Sequence, residues 1–252
     1  MSDVSSSEIR QEFAKSKVGL VGIGILASLI ILSAVAVITI PIDTFKQWNN
    51  PGKWISYPKT SVPIWINYFM TEKIPEHLIL DNPSAITKDD IISLTSHQFS
   101  VQYYYDDFPS DFIYEFSVEY SGSQLLQISV IRPDQSQILL LSRSLPHSDT
   151  NIIHHERIFS TDNTIKKNIQ IHFSEMGFYN QSTSSEDMIF ANKDGQVLKG
   201  DYLFLLNIYG VEEKVKIIDS KLILGGKAFG MMGTDELRRD LAVGLLWGTP
   251  LA

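Results

Sequence analysis

Asp111 to Tyr120 reads DFIYEFSVEY, with a large apolar or aromatic residue at every second position from Phe112 onward. Alternate side chains of a strand point to opposite faces, so this period-two pattern predicts a β-strand with one buried and one polar face. The alternation recurs in 98–103, and short β-branched and aromatic runs continue it through 125–131, 136–141, 165–173, 202–209 and 214–224. Turn residues separate these runs: Tyr120-Ser121-Gly122-Ser123, Arg132-Pro133-Asp134 and Lys193-Asp194-Gly195. Strands in this number, without long helices between them, predict an all-β antiparallel sandwich of jelly-roll or immunoglobulin-like type. A short helix over 88–93, capped by Thr87, is expected just ahead of it.

Before the strands the pattern is different. Residues 18–40 read VGLVGIGILASLIILSAVAVITI, an uncharged run that ends at Pro41. At about 1.5 Å per residue such a helix crosses a hydrocarbon core of roughly 30 Å. Gly19, Gly22 and Gly24 suit close helix contact within a membrane. The rival reading is a cleaved signal peptide, with Ala34-Val35-Ala36 as the cleavage site. The run exceeds the roughly 7–15-residue core of a signal peptide, so a retained membrane helix is expected. Arg10, Lys15 and Lys17 precede it, and Lys46, Lys53 and Lys59 follow. The basic residues balance, and only the closeness of Lys15 and Lys17 favours a cytoplasmic N-terminus. Trp48, Pro51, Trp54, Pro58, Pro63 and Trp65 then give an aromatic, proline-broken segment suited to a membrane interface. The chain thus divides into an N-terminal segment (1–17), a membrane helix (18–40), a Trp/Pro-rich linker with the short helix (41–96), a sandwich (97–226) and a pre-membrane segment (227–252).

Composition excludes several classes. The 252 residues carry a formal charge of -8, with 29 acidic against 21 basic side chains, which argues against nucleic acid as a partner. There is no cysteine, so disulfides, cysteine-ligated metals and cysteine catalysis are excluded. The charged fraction of 20% and the 27 aromatics (13 Phe, 10 Tyr, 4 Trp) exclude a mainly disordered chain.

Few residues suggest chemistry. His147, His154, His155 and His172, with Glu156, have the residue types of a zinc or nickel site. Adjacent His154 and His155 point to opposite faces of a strand, so at most one joins any single site. Asp106, Asp107, Asp111, Glu115 and Glu119 offer carboxylates, and Glu115 with Glu119 share a strand face, as they would on any solvated sheet. No nucleophile elbow, phosphate loop, dinucleotide fingerprint or zincin motif occurs, so neither a catalytic residue, a metal nor a cofactor is assigned. Asn180-Gln181-Ser182 is a glycosylation sequon.

The C-terminal stretch from Phe229 reads FGMMGTDELRRDLAVGLLWGTPLA. Gly233 suits a turn, Thr234 a helix cap, and Asp235 and Glu236 the positive end of the helix dipole. Leu237, Leu241, Gly244 and Leu245 would share one face of an amphipathic helix, with Trp247 as interfacial anchor. Gly233-Thr234-Asp235-Glu236-Leu237-Arg238-Arg239-Asp240, with Leu245-Leu246-Trp247-Gly248-Thr249, resembles the GTDELGRD…L(I/L)(Y/W)G(A/T) signature of the C-type permease subunit of dipeptide/oligopeptide ABC importers. The basic stretch Phe13-Ala14-Lys15-Ser16-Lys17, leading into Val18, is similar to that family's opening. At the family's glycine this chain has Arg238. The resemblance implies an N-terminal portion of such a permease, with a large β insertion after the first helix and an external first loop. It implies as partners a second permease subunit, ABC ATPase subunits, a substrate-binding protein and membrane lipid. Gly233, Thr234, Asp235, Glu236, Leu237, Arg239, Asp240, Trp247 and Gly248 are then the residues carrying the family motif. The later membrane helices and the ATPase-docking loop lie outside these 252 residues, so a truncated permease is one expectation. The other is a single-pass anchored extracytoplasmic binding module.

Overall fold

In the computed structural model, residues 16–89, 93–175, 184–210 and 215–251 are described. Two antiparallel sheets pack face to face. One has the order β1 (Leu78–Leu80), β9 (Lys216–Leu224), β4 (Phe112–Gly122), β7 (Ser148–Phe159). The other has the order β2 (Ala85–Asp89), β3 (Leu94–Tyr103), β8 (Gly200–Tyr209), β5 (Leu125–Ile131), β6 (Gln137–Ser144).

The DFIYEFSVEY run forms β4, central in its sheet, with Phe112, Tyr114, Phe116, Val118 and Tyr120 all buried and facing the second sheet. That sheet answers with Phe99, Val101 and Tyr103 from β3, Leu126, Ile128 and Val130 from β5, and Tyr202, Phe204 and Leu206 from β8. Phe190 wedges between Tyr202 and Tyr103, with ring centroids at 4.4 and 4.7 Å. Such aromatic pairs add about 0.5–1.5 kcal/mol each beyond the area they bury.

Three stretches depart from the sequence reading. Residues 165–173, expected as a strand, lie in a helix, α4 (Asn163–Glu175). Ile165, Ile169 and Phe173 fall four apart and bury one helical face, and Asp162 accepts from the Thr164 amide at 2.8 Å to start the helix. Helical spacing of the large residues wins over the shorter period-two pattern. Residues 85–89 pair with β3 as a strand where a helix capped by Thr87 was expected; residues 90–92 of that expected helix lie outside the described ones. β7 is absent from the sequence reading, because His154 and Glu156 stand opposite Val118 and Phe116, where apolar residues would have given the strand away. A further short helix, α5 (Ser185–Phe190), is capped by the Ser184 hydroxyl and delivers Phe190 to the core. The sequon at 180–182 lies outside the described residues.

Toward the N-terminus, α1 (Lys17–Thr39) is the one helix among the described residues long and apolar enough to cross a membrane, and only 6% of its most apolar window is buried. Short helices α2 (Ile42–Lys46) and α3 (Pro51–Trp54) and a 3-10 turn (Ile64–Tyr68) lead into the sandwich. The C-terminal helix α6 (Leu241–Leu251) carries no charged residue. It begins later than the sequence suggested. Residues 234–240 form a turn closed by a bridge between Thr234 and Asp240, so the charges of the motif sit in that turn and not along an amphipathic helix.

Candidate functional site

The motif residues form a joint that ties the sandwich to α1 and α6. Gly233 adopts φ +74°, and a Cβ there would run into the Ser61 carbonyl. That close approach requires glycine. The next residue, buried Thr234, donates its amide to the Ser61 carbonyl at 3.1 Å. Its hydroxyl accepts the Ser61 amide at 3.0 Å, meets the Ser61 hydroxyl at 2.9 Å and donates to the Pro58 carbonyl at 2.8 Å. Thr234 therefore does not cap a helix. It locks the chain after β9 to the chain entering β1, across 173 residues of sequence.

Asp235 organises the turn. Its carboxylate accepts the Leu237 and Arg239 amides, both at 2.9 Å, and pairs with the Arg239 guanidinium through Nε at 2.7 Å and Nη2 at 2.6 Å. Partial burial raises the Asp235 pKa, but the Arg239 hydrogen bonds and charge outweigh it and hold the group below its ordinary value. The Arg239 guanidinium lies 4.7 Å over the Trp48 ring. Arg238 has φ +64°, a backbone region that favours glycine, and its side chain fastens the strained residue. One guanidinium nitrogen donates to the Tyr57 carbonyl at 2.6 Å and the other to Asp111 at 2.9 Å. Asp240 caps α6 by accepting the Ala242 amide at 2.9 Å, and the Leu241 amide donates to the Gly233 carbonyl at 3.1 Å.

Below the turn, α6 packs on α1, and its Val243 and Trp247 enter an aromatic box built by the segment that follows α1. Trp54, Val243 and Trp247 are buried there among Ile40, Phe45, Trp48 and Tyr57. The Trp54 indole donates to the Trp48 carbonyl at 3.0 Å, and Phe45 stacks on Trp247 at 5.7 Å. Gly244 lets Trp48 approach, since a Cβ would stand 2.7 Å from that ring. His77 closes the box on the sandwich side, stacked on Tyr57 and edge-on to Phe229. Burial pushes its pKa down to about 4; the Ser56 backbone and the Asp111 charge oppose the shift, and the Arg238 charge adds to it. Of the motif residues, Glu236 and Leu237 face solvent and Gly248 has open space beside it. The rest build the joint.

The other candidates do not converge. His155 bonds Ser117 at 2.7 Å, whereas His154 bonds Glu156 at 3.2 Å on the opposite face of β7, with Arg143 also on Glu156. His147 meets Ser123 and Asp149, and His172 stands on α4 against Phe173. Among the described residues, no three His, Asp or Glu side chains are grouped to hold a metal ion. Glu115 pairs with Arg157 at 2.7 Å and accepts from Ser56 at 3.1 Å, while Glu119 accepts from Asn151. Asp106 and Asp107 pair with Lys199 and Lys227.

Sequence reasoning missed the partners of the motif: Tyr57, Pro58, Ser61 and Asp111. Pro58 stands out only as one of the prolines of the Trp/Pro segment and Asp111 only as one of the carboxylates at the start of β4, and nothing marks Tyr57 or Ser61. Trp48 and Trp54, read as an interfacial belt, turn toward each other, because Asn50 caps a short helix with Pro51 in its first turn and folds the segment back.

The chain matches no protein-family model and no curated protein sequence. Solved structures similar to part of it include dimeric latent PorU from Porphyromonas gingivalis, at 7% identity over 62% of this chain and 13% of that chain, TM-score 0.33. CBM35 from Cellvibrio japonicus Abf62 is 11% identical over 62% of this chain and 88% of its own, TM-score 0.24. CBM28, a carbohydrate-binding module specific for non-crystalline cellulose, is 5% identical over 60% and 73%, TM-score 0.26.

Proposed function

We propose that the chain is a membrane-anchored binding module whose β-sandwich is displayed outside the cytoplasm at a fixed height over the bilayer. The joint carries this reading. A flexible tether would need no bonds between Thr234, Ser61 and Pro58, nor a guanidinium clamp from Arg238 to Asp111. The packing of α6 on α1 supports retention of α1 over cleavage, because removing residues up to Ala36 would take away most of the helix that α6 packs against.

A second reading is a component of a peptide-type ABC importer permease, acting with a second permease subunit, ATPases and a substrate-binding protein. It is favoured by Arg238, which takes the left-handed conformation at the position where the resembling family has glycine. The apolar, uncharged α6 alongside α1 also fits a second membrane segment. In both readings the N-terminus is cytoplasmic. Affinity capture of the membrane-extracted chain at native expression, with mass spectrometry, separates the two. Co-recovery of a multi-helix membrane subunit and ABC ATPases supports the permease. Their absence, with the chain retained in the membrane, supports the anchored module. Recovery in the soluble fraction overturns both.

A further inference from the structure

Two segments far apart in sequence bring large apolar side chains together next to the joint. Tyr68 and Phe69, at the end of the 3-10 turn, are 82% and 83% exposed, and Met231 is 70% exposed. Trp65 links them: its indole donates to the Met231 carbonyl at 2.9 Å and its ring meets Phe69 edge-on at 6.4 Å. Met232 and Leu237 extend the patch along the motif turn. A patch this apolar on a water-facing surface marks an interaction site.

Its position identifies the occupant. Met232 precedes Gly233, whose carbonyl binds the first amide of α6, and the Ile64 amide donates to the Gly230 carbonyl at 2.9 Å. The patch therefore lies within a few residues of the point where α6 leaves the sandwich beside the end of α1. Trp and Tyr with an apolar body and a polar edge are the side chains that favour the headgroup region. Exposed Lys53 and Lys59 on the same segment match anionic lipid.

We infer that Trp65, Tyr68, Phe69, Met231 and Met232 form an interfacial seat on the lipid headgroup and upper acyl region, so that the sandwich rests on the bilayer at a second point besides the helices. This rests on the proposed anchoring by α1, and the test separates the two. The chain has no cysteine, so single variants can be spin-labelled uniquely. Phe69→Cys and Met231→Cys probe the seat, Ile153→Cys on β7 is the water reference, and Ile30→Cys in α1 is the hydrocarbon reference. All four positions are exposed, which keeps folding out of the comparison. The full chain is reconstituted in phosphatidylcholine vesicles with a minority of phosphatidylglycerol, and collision with oxygen and with a nickel chelate is read by power saturation. The expected result is a several-fold loss of nickel accessibility at 69 and 231 relative to 153, with oxygen accessibility approaching that at 30. If 69 and 231 match 153 while 30 reads hydrocarbon, the seat is overturned and the anchoring stands. If 30 reads water, the anchoring fails and the seat with it. Protection at 69 and 231 that persists in detergent or rises with the protein-to-lipid ratio assigns the patch to a second protein copy and overturns the lipid seat.

Discussion

Thr234→Val is the sharpest perturbation of the joint, because valine keeps the shape and removes only the hydroxyl. The change leaves the Ser61 amide and the Pro58 carbonyl without their partner in a site where Thr234 is 5% and Ser61 6% exposed. A buried polar group left unpaired costs about 1–3 kcal/mol, so two of them, partly relieved by rotation of the Ser61 hydroxyl, cost about 2–4 kcal/mol. The loss falls on local opening of the joint and not on the sandwich, whose core shares no contact with this hydroxyl. At about 1.4 kcal/mol per tenfold, amide exchange at the joint accelerates roughly 30- to 700-fold. Hydrogen exchange of the full chain in nanodiscs reads this directly. The Thr60, Val62 and Thr234 amides, which donate to Asp235, Lys227 and Ser61, are the reporters. The amides of Phe204 and Leu206 in β8 are the internal reference. Thr234→Ser, which keeps the hydroxyl, leaves joint exchange within a few-fold of the parent. Unchanged exchange in Thr234→Val, or equal acceleration at joint and reference, refutes the assignment of Thr234 as the lock.

Three further outcomes are expected. Arg238→Ala destabilises the joint more than Arg238→Gly by about 1 kcal/mol, since both lose the Asp111 and Tyr57 contacts but only alanine keeps a strained Cβ at φ +64°; thermal melts of the two variants in one detergent decide it. Gly244→Leu forces α6 off Trp48 at a cost of about 1–3 kcal/mol, read as a red-shifted, more quenchable tryptophan emission. His77, held near 4 in the fold against about 6.5 when unfolded, takes up a proton only on unfolding, so its stabilising contribution is whole above pH 6.5 and falls away as the pH drops toward 4. Melts at pH 7 and pH 5 should show about 2 kcal/mol less stability at the lower pH, and His77→Gln should flatten that slope.

The sandwich was legible because β4, β3, β5 and β8 carry large residues at alternate positions, and those positions are the buried, core-facing ones, although the central strand β4 also buries Ile113 and Ser117 on its other face. Edge strands were harder to see. β7 puts polar residues on both faces, and β2 is exposed along most of its length. α4 was hidden by Ile169-Gln170-Ile171-His172-Phe173, whose local alternation imitates a strand until Ile165 is counted. The motif was visible as residues but not as a joint. Its partners Ser61, Pro58 and Asp111 lie more than a hundred residues away, and no local pattern encodes a contact of that range. Arg238 is the instructive position, where the sequence shows an unusual residue and only the backbone angle shows the physical cost that its two hydrogen bonds offset.

In the proposed arrangement α1 stays in the membrane, with α6 and the sandwich joined to its end. The most direct measurement is alkaline carbonate extraction of membranes from cells expressing the full chain, followed by intact mass of the chain. The expected chain stays in the membrane pellet with residues 18–40 still attached. A carbonate-soluble chain whose mass begins after Ala36 would contradict it.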